Sequence, residues 1–186
     1  MRNVEQTKQR ILDAARAEFS EHGFHGARVD RIAARAHANK ALIYSYFGKK
    51  EALFAEVYRD SLRQVVQDVP MDPADVPGYL ARRLEWQSRN PALSRIAMWG
   101  MLELDDFSDM TGATAIRARK LERIADAQQR GEIGATFAPD EVLDLIDALA
   151  RPMLGFTSSG ATDSGEAERY KRTAVEALRN LVEPDR

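Results

Sequence analysis

Apolar residues recur along this chain at spacings of three and four, with glycine and proline as punctuation, and no segment alternates in the way a half-buried strand requires. An all-α fold of about nine helices follows. Ile11, Leu12, Ala15 and Phe19 form one stripe, which predicts a helix from about Thr7 to His22, ended by Gly23. Val29, Ile32, Ala33 and Ala36 suit a short second helix. Asn39 is placed to cap a third, in which Leu42 or Ile43 and Phe47 face inward and after which Gly48 stops the helix. A long fourth helix carries Leu53, Phe54, Val57, Ser61, Leu62 and Val65, and the proline-rich stretch 70–77 reads as a connection.

Beyond it, the pattern predicts a fifth helix at about 75–88 and a sixth at about 91–105, opened by Asn90-Pro91. The sixth is apolar nearly all round, which predicts an interior position. A seventh helix is expected at about 112–130, an eighth from Pro139 with a kink at Pro152, and a ninth at about 164–182 with Asp163 and Glu166 spaced as a capping box.

The second and third helices meet across about three residues within 29–47, VDRIAARAHANKALIYSYF. The later of the two carries Lys40, Tyr44, Ser45 and Tyr46 and is followed at once by Lys49 and Lys50. A tight helix pair whose second member exposes donors and aromatic rings is what entry into a DNA major groove requires. Charge points the same way. Residues 1–50 carry a balance of +5 and the remainder −7, within a net charge of −2. A basic front end suits phosphate contacts.

Other classes find little support. The chain has no cysteine, which excludes disulfides, thiol catalysis and thiolate metal sites and fits a reducing cytoplasm. No run is apolar enough for a membrane span, and the N-terminus lacks a signal-peptide core. His22 and His25 flank Gly23 without a third ligand nearby, so neither a metal nor another cofactor is expected. No nucleophile elbow, phosphate loop or metalloprotease motif occurs, and the chain does not read as an enzyme.

Residues 7–54 resemble the DNA-binding domain of TetR-family transcriptional repressors. The matching pieces are Ile11-Leu12-Asp13-Ala14-Ala15, Phe19, Gly23, Ile32-Ala33, Ala36, Tyr44, Phe47 and Lys50-Glu51-Ala52-Leu53, without gaps. Three departures stand out. His37 occupies the turn position where the family usually has glycine, Ala27 and Arg28 replace a phosphate-touching hydroxyl residue, and Ala41 and Leu42 are apolar where small or polar residues are usual.

The resemblance implies a helix-turn-helix domain over residues 1–48 and an effector-binding and dimerisation domain over 49–186. It also implies a homodimer that binds a palindromic operator and is released by a small molecule. Lys40, Ala41, Leu42 and Ser45 would then face base edges, and Tyr44, Tyr46, Lys49 and Lys50 would meet phosphates. Arg28 and Asn39 would stand at helix N-termini beside the duplex.

Trp86, Met98, Trp99, Met101, Leu102, Phe107 and Phe156 would supply apolar walls for an effector, with Glu103 holding one polar or cationic group. Leu145, Leu149, Met153, Tyr170, Ala174 and Leu178 would form the dimer seam. The competing reading is a helical carrier of an apolar molecule that keeps the fold without binding DNA.

Overall fold

A computed structural model describes residues 2–150 and 164–183. Ten α-helices and one 3-10 turn account for the regular structure of the described residues. They are α1 (Arg2–Gly26), α2 (Val29–Arg35), α3 (Lys40–Phe47), α4 (Lys50–Asp68), α5 (Val76–Arg89), α6 (Pro91–Glu103), α7 (Phe107–Thr111), α8 (Ala113–Gln129), α9 (Pro139–Leu149) and α10 (Ser164–Val182). The 3-10 turn, Pro73–Asp75, leads into α5. No helix among the described residues is long and apolar enough to cross a membrane.

The chain divides into two compact units that do not follow its order. The first comprises residues 1–64 and 90–114, and the second residues 65–89 and 115–186. The boundary expected after residue 48 therefore falls inside the first unit, and α4 contributes residues to both.

In the first unit, Ile11, Ala15 and Phe19 of α1 are buried together with Ile32 of α2, Ile43 of α3 and Phe54 of α4. Phe54 is the hub of the aromatic packing. Its ring lies 4.8 Å from Phe19, 5.6 Å from Phe24 and 6.0 Å from Phe107, centroid to centroid. Arg16 of α1 donates to Asp60 of α4 at 2.7 Å, a second link between those helices.

Helix α1 is longer than its stripe predicts. It starts at Arg2 and continues to Gly26 across a break at Gly23, where φ is 70° and ψ is −176°. Glycine meets both demands of that position. It accepts the positive φ, and a Cβ there would lie 3.0 Å from the Trp99 ring and 3.1 Å from the Glu103 carboxylate.

The α2–α3 turn has a Schellman geometry. His37 N–H donates to Ala34 O and Ala38 N–H to Ala33 O, with His37 in the left-handed region at φ 49°. A side chain in that conformation is strained, whereas glycine is free of the clash but loses more chain entropy on folding. The first effect is the larger. His37→Gly is expected to stabilise the first unit by about 0.5 kcal/mol, measured by urea unfolding. A loss of stability would show that the imidazole has a compensating role.

Helix α6 departs from the expectation of full burial. Leu93, Ile96 and Gly100 face inward, but Met101 and Leu102 are 67% and 74% exposed. The inference from apolar composition to interior position runs only one way, since much of any protein surface is apolar. Gly100 lets the Phe107 ring lie directly on the helix, where a Cβ would come within 2.3 Å of it. The seventh helix expected at about 112–130 is α8, and a short helix not expected from the pattern, α7, precedes it and ends where Gly112 turns the chain at φ 75°.

The second unit has its own core. Leu80 of α5, Ile124 of α8, Leu143 and Ile146 of α9 and Leu178 of α10 are its largest fully buried side chains. Polar links brace it: Lys120 Nζ donates to Tyr79 Oη at 2.8 Å, Arg83 pairs with Asp147 at 2.5 Å and Arg117 with Asp144 at 2.9 Å. Helix α9 is described to Leu149, so the kink expected at Pro152 and the capping residue Asp163 lie outside the described residues.

Candidate nucleic-acid interface

Helix α3 is held at both ends and along its back. The Asn39 carboxamide oxygen accepts the Leu42 N–H at 2.7 Å, which satisfies a donor that would otherwise be free at the helix start. Gly48 N–H donates to Tyr44 O at 2.9 Å and closes the last turn. Ile43 is the buried anchor, while Leu42, Tyr46 and Phe47 are half-buried. Lys40, Ala41, Tyr44 and Ser45 are left facing solvent, with Tyr44 48% exposed. One short helix thus presents an ammonium, a phenol, a hydroxyl and a methyl group on its open side.

The other expected DNA residues fall into two groups. Arg28 and Lys49 are exposed. Lys50 is turned inward: its ammonium donates to Ala27 O at 2.9 Å and His25 O at 3.4 Å and sits 4.7 Å from the Phe24 ring centroid. It clamps the α1–α2 connection. Tyr46 has Lys8 Nζ 5.8 Å from its ring centre and lines a cleft of about 430 Å³ with Lys8, Gln9, Phe47 and Arg59. Glu5, Glu56 and Asp60 also line that cleft.

Two carboxylates lie around α3, one buried and one exposed. Glu18 of α1 is 2% exposed. One of its oxygens accepts the Arg28 N–H at 2.9 Å, at the start of α2, and Arg31 Nε at 2.6 Å. Arg31 also donates to Gly26 O at 2.9 Å. Burial pushes the Glu18 carboxyl up, but the Arg31 and Arg28 hydrogen bonds, with the charges of Arg31 and His22, outweigh it and hold the group below its ordinary value. Asp30 of α2 lies 2.7 Å from Lys40 Nζ, and its hydrogen bond and charge raise the Lys40 pKa.

The pattern-based reading found neither carboxylate. Glu18 had a visible signal, for it stands three residues after Ala15 and seven after Ile11, in the apolar register of α1. Asp30 had none, since its partner is ten residues away across a turn.

The residues expected around an effector are spread over both units. Trp86 belongs to the second, where it packs against the core and donates from Nε1 to Asp68 at 2.9 Å. Met98, Trp99, Leu102, Glu103 and Phe107 belong to the first. There the Glu103 carboxylate accepts the backbone N–H groups of Phe24, at 2.5 Å, and His25, at 3.0 Å, immediately after the break in α1. Phe107 is buried against Tyr58, 4.5 Å between centroids. None of these residues lines the 430 Å³ cleft. Phe156 lies outside the described residues.

Of the expected dimer residues, Ala174 and Leu178 are buried in the second unit's own core, and Leu145, Leu149 and Tyr170 are half-buried. Tyr170 Oη donates to Leu149 O at 2.8 Å. Met153 lies outside the described residues. Among the described residues, no group of three or more histidines and acids is placed to hold a metal ion.

Comparison with known proteins bears on the same segments. Residues 11–57 match the profile of bacterial regulatory proteins of the tetR family, and residues 75–180 match a tetracyclin repressor-like C-terminal domain. The HTH-type transcriptional repressor SCO4008 of Streptomyces coelicolor is 35% identical over 189 residues, covering 98% of either chain. RutR, an HTH-type transcriptional regulator of Escherichia coli, is 35% identical over 112 residues, covering 54% of this chain and 50% of its own. The crystal structure of SCO4942 from Streptomyces coelicolor, described as a transcriptional regulator, superposes with a TM-score of 0.81 at 33% identity and covers 96% of this chain and 99% of that one. Two profile matches that span the helix-turn-helix and the C-terminal helices, with identity running through nearly the whole length, place this chain in the TetR family of bacterial transcriptional regulators.

Proposed function

We propose that this chain is a ligand-responsive repressor that binds a palindromic operator as a homodimer, with α3 as the helix that enters the major groove. The observation that carries the DNA reading is the solvent-facing set Lys40, Ala41, Tyr44 and Ser45 on a capped helix anchored by Ile43. Lys40 offers donors to the guanine acceptors O6 and N7, and the Ala41 methyl suits a thymine methyl. Tyr44, Arg28 and Lys49 are free to reach phosphates, which position the protein and make affinity fall with salt.

A dimer follows from the need to read two half-sites about 34–36 Å apart. The faces of α9 and α10 that carry Leu145, Leu149 and Tyr170 are half-buried within one chain and have apolar area to give to a second copy. The effector is a small, largely apolar molecule. To act, it must bind one of two arrangements of the regulator better than the other. Helix α4, which has residues in both units, is the element suited to carry that difference.

The test is binding of a fluorescent duplex, enriched by the wild-type chain from a random-sequence pool, by wild type and by Lys40→Ala/Tyr44→Ala at moderate salt. The double variant is expected to bind about 30-fold more weakly, the loss of roughly 2 kcal/mol that one base contact and one phosphate contact supply. Equal affinities would remove α3 from the interface. A wild-type chain without salt-dependent affinity for any duplex would favour a carrier of an apolar molecule instead.

A further inference from the structure

Asp30 puts a negative charge beside the residue proposed to read bases. Its carboxylate lies 2.7 Å from Lys40 Nζ, and the two side chains keep 70% and 50% of their accessible surface. A pair so exposed adds little to folding. On a surface that approaches a polyanion, a carboxylate also repels phosphate. It must therefore be judged by what it does to DNA binding.

Two effects follow from the geometry. A lone lysine is a compact charge on a flexible four-carbon stem and is drawn to phosphate oxygens of any sequence. Paired with Asp30, the ammonium is drawn toward one direction and has one of its three donors occupied. The pair is also close to neutral, so it gains little from the phosphate field. Guanine acceptors in the major groove reward a donor only when it is correctly aimed. The hydrogen bond and charge of Asp30 also favour the protonated ammonium, raising the Lys40 pKa.

We propose that Asp30 is a specificity-determining positioning residue: by holding Lys40 in an aimed, nearly neutral pair, it suppresses binding to arbitrary DNA and favours the sequence whose bases meet the ammonium. This inference rests on the reading of α3 as the DNA-entering helix.

The experiment uses the full chain and two duplexes, the one that wild type enriches from a random-sequence pool and its scrambled counterpart. Affinities are measured by fluorescence anisotropy from about 50 to 200 mM potassium chloride. Asp30→Asn is expected to bind the scrambled duplex about 5- to 10-fold more tightly at the lower salt, with the slope of log K against log salt steeper by about one. Its affinity for the enriched duplex changes by less than about threefold, so discrimination falls. Asp30→Glu, which keeps a carboxylate, retains most of the discrimination.

In a Lys40→Ala background the same substitution adds charge but has no ammonium to misdirect. It then strengthens both duplexes equally and leaves discrimination unchanged. If Asp30→Asn discriminates as well as wild type, or loses discrimination equally without Lys40, the inference is overturned while the α3 reading stands. If wild type enriches no duplex and shows no salt-dependent affinity, the α3 reading falls and takes this inference with it.

Discussion

Phe54→Ala is expected to destabilise the first unit by about 4 kcal/mol, within the range for removing a fully buried phenylalanine. The ring has no solvent exposure and meets Phe19 at 4.8 Å, edge to face, with Phe24 and Phe107 within 6.0 Å. Its loss removes the transfer free energy of the ring and the quadrupole contacts with its neighbours. The cavity would be bordered by side chains from α1, α4 and the start of α7, none of which can collapse into it without moving a helix. Trp99 belongs to the first unit and Trp86 to the second, so a Trp86→Phe background leaves one fluorophore in the first unit. Urea unfolding followed by Trp99 emission reads the effect directly. A loss below about 1 kcal/mol would mean that the ring cluster does not hold these helices together.

Glu18→Ala is the second large effect, about 2–3 kcal/mol, because it leaves the Arg28 N–H and the Arg31 Nε–H without their acceptor and the Arg31 charge without its partner. The figure sits below the full cost of breaking a buried pair because Arg31 is 43% exposed and recovers water. Glu18→Gln keeps one acceptor oxygen but no charge and is expected to cost about half as much.

The same group gives the first unit an acid-sensitive stability. Its folded pKa lies below the ordinary value, so the folded state binds fewer protons than the unfolded chain. Its contribution is complete above the ordinary glutamate range, near pH 4, and is lost as the pH falls through the lowered folded value. In urea unfolding from pH 7 to pH 3, wild type should lose more stability at the acidic end than Glu18→Gln. Parallel profiles would show that Glu18 is not held ionised by its partners.

What the sequence revealed and what it hid divide along the range of the interaction. Asn39 as cap, Gly48 as stop and Pro91 and Pro139 as first helical residues could be read because each acts within one turn of its own position. The resemblance marked His37 as standing where glycine is usual, and the structure puts it at positive φ. Long-range pairs were opaque. The resemblance gives Lys50 a phosphate role, and the structure gives its ammonium hydrogen bonds to carbonyls 23 and 25 residues earlier, which no sequence pattern announces. Glu103 looked like a polar group in an apolar pocket, and its ties to Phe24 and His25 span 79 and 78 residues. No periodicity reports such pairings, because they depend on which helices become neighbours.

The Glu103 tie bears on how this regulator can be cut and recombined. A fragment that stops after the third helix would strip the Phe24 and His25 amides of their acceptor and expose the Gly23 bend that Trp99 covers. A chimaera that transplants sequence preference from a relative by exchanging only the first fifty residues would join a foreign bend to a resident carboxylate. The compact unit that holds the helix-turn-helix is discontinuous, residues 1–64 together with 90–114, so a graft that carries both pieces is expected to keep this tie.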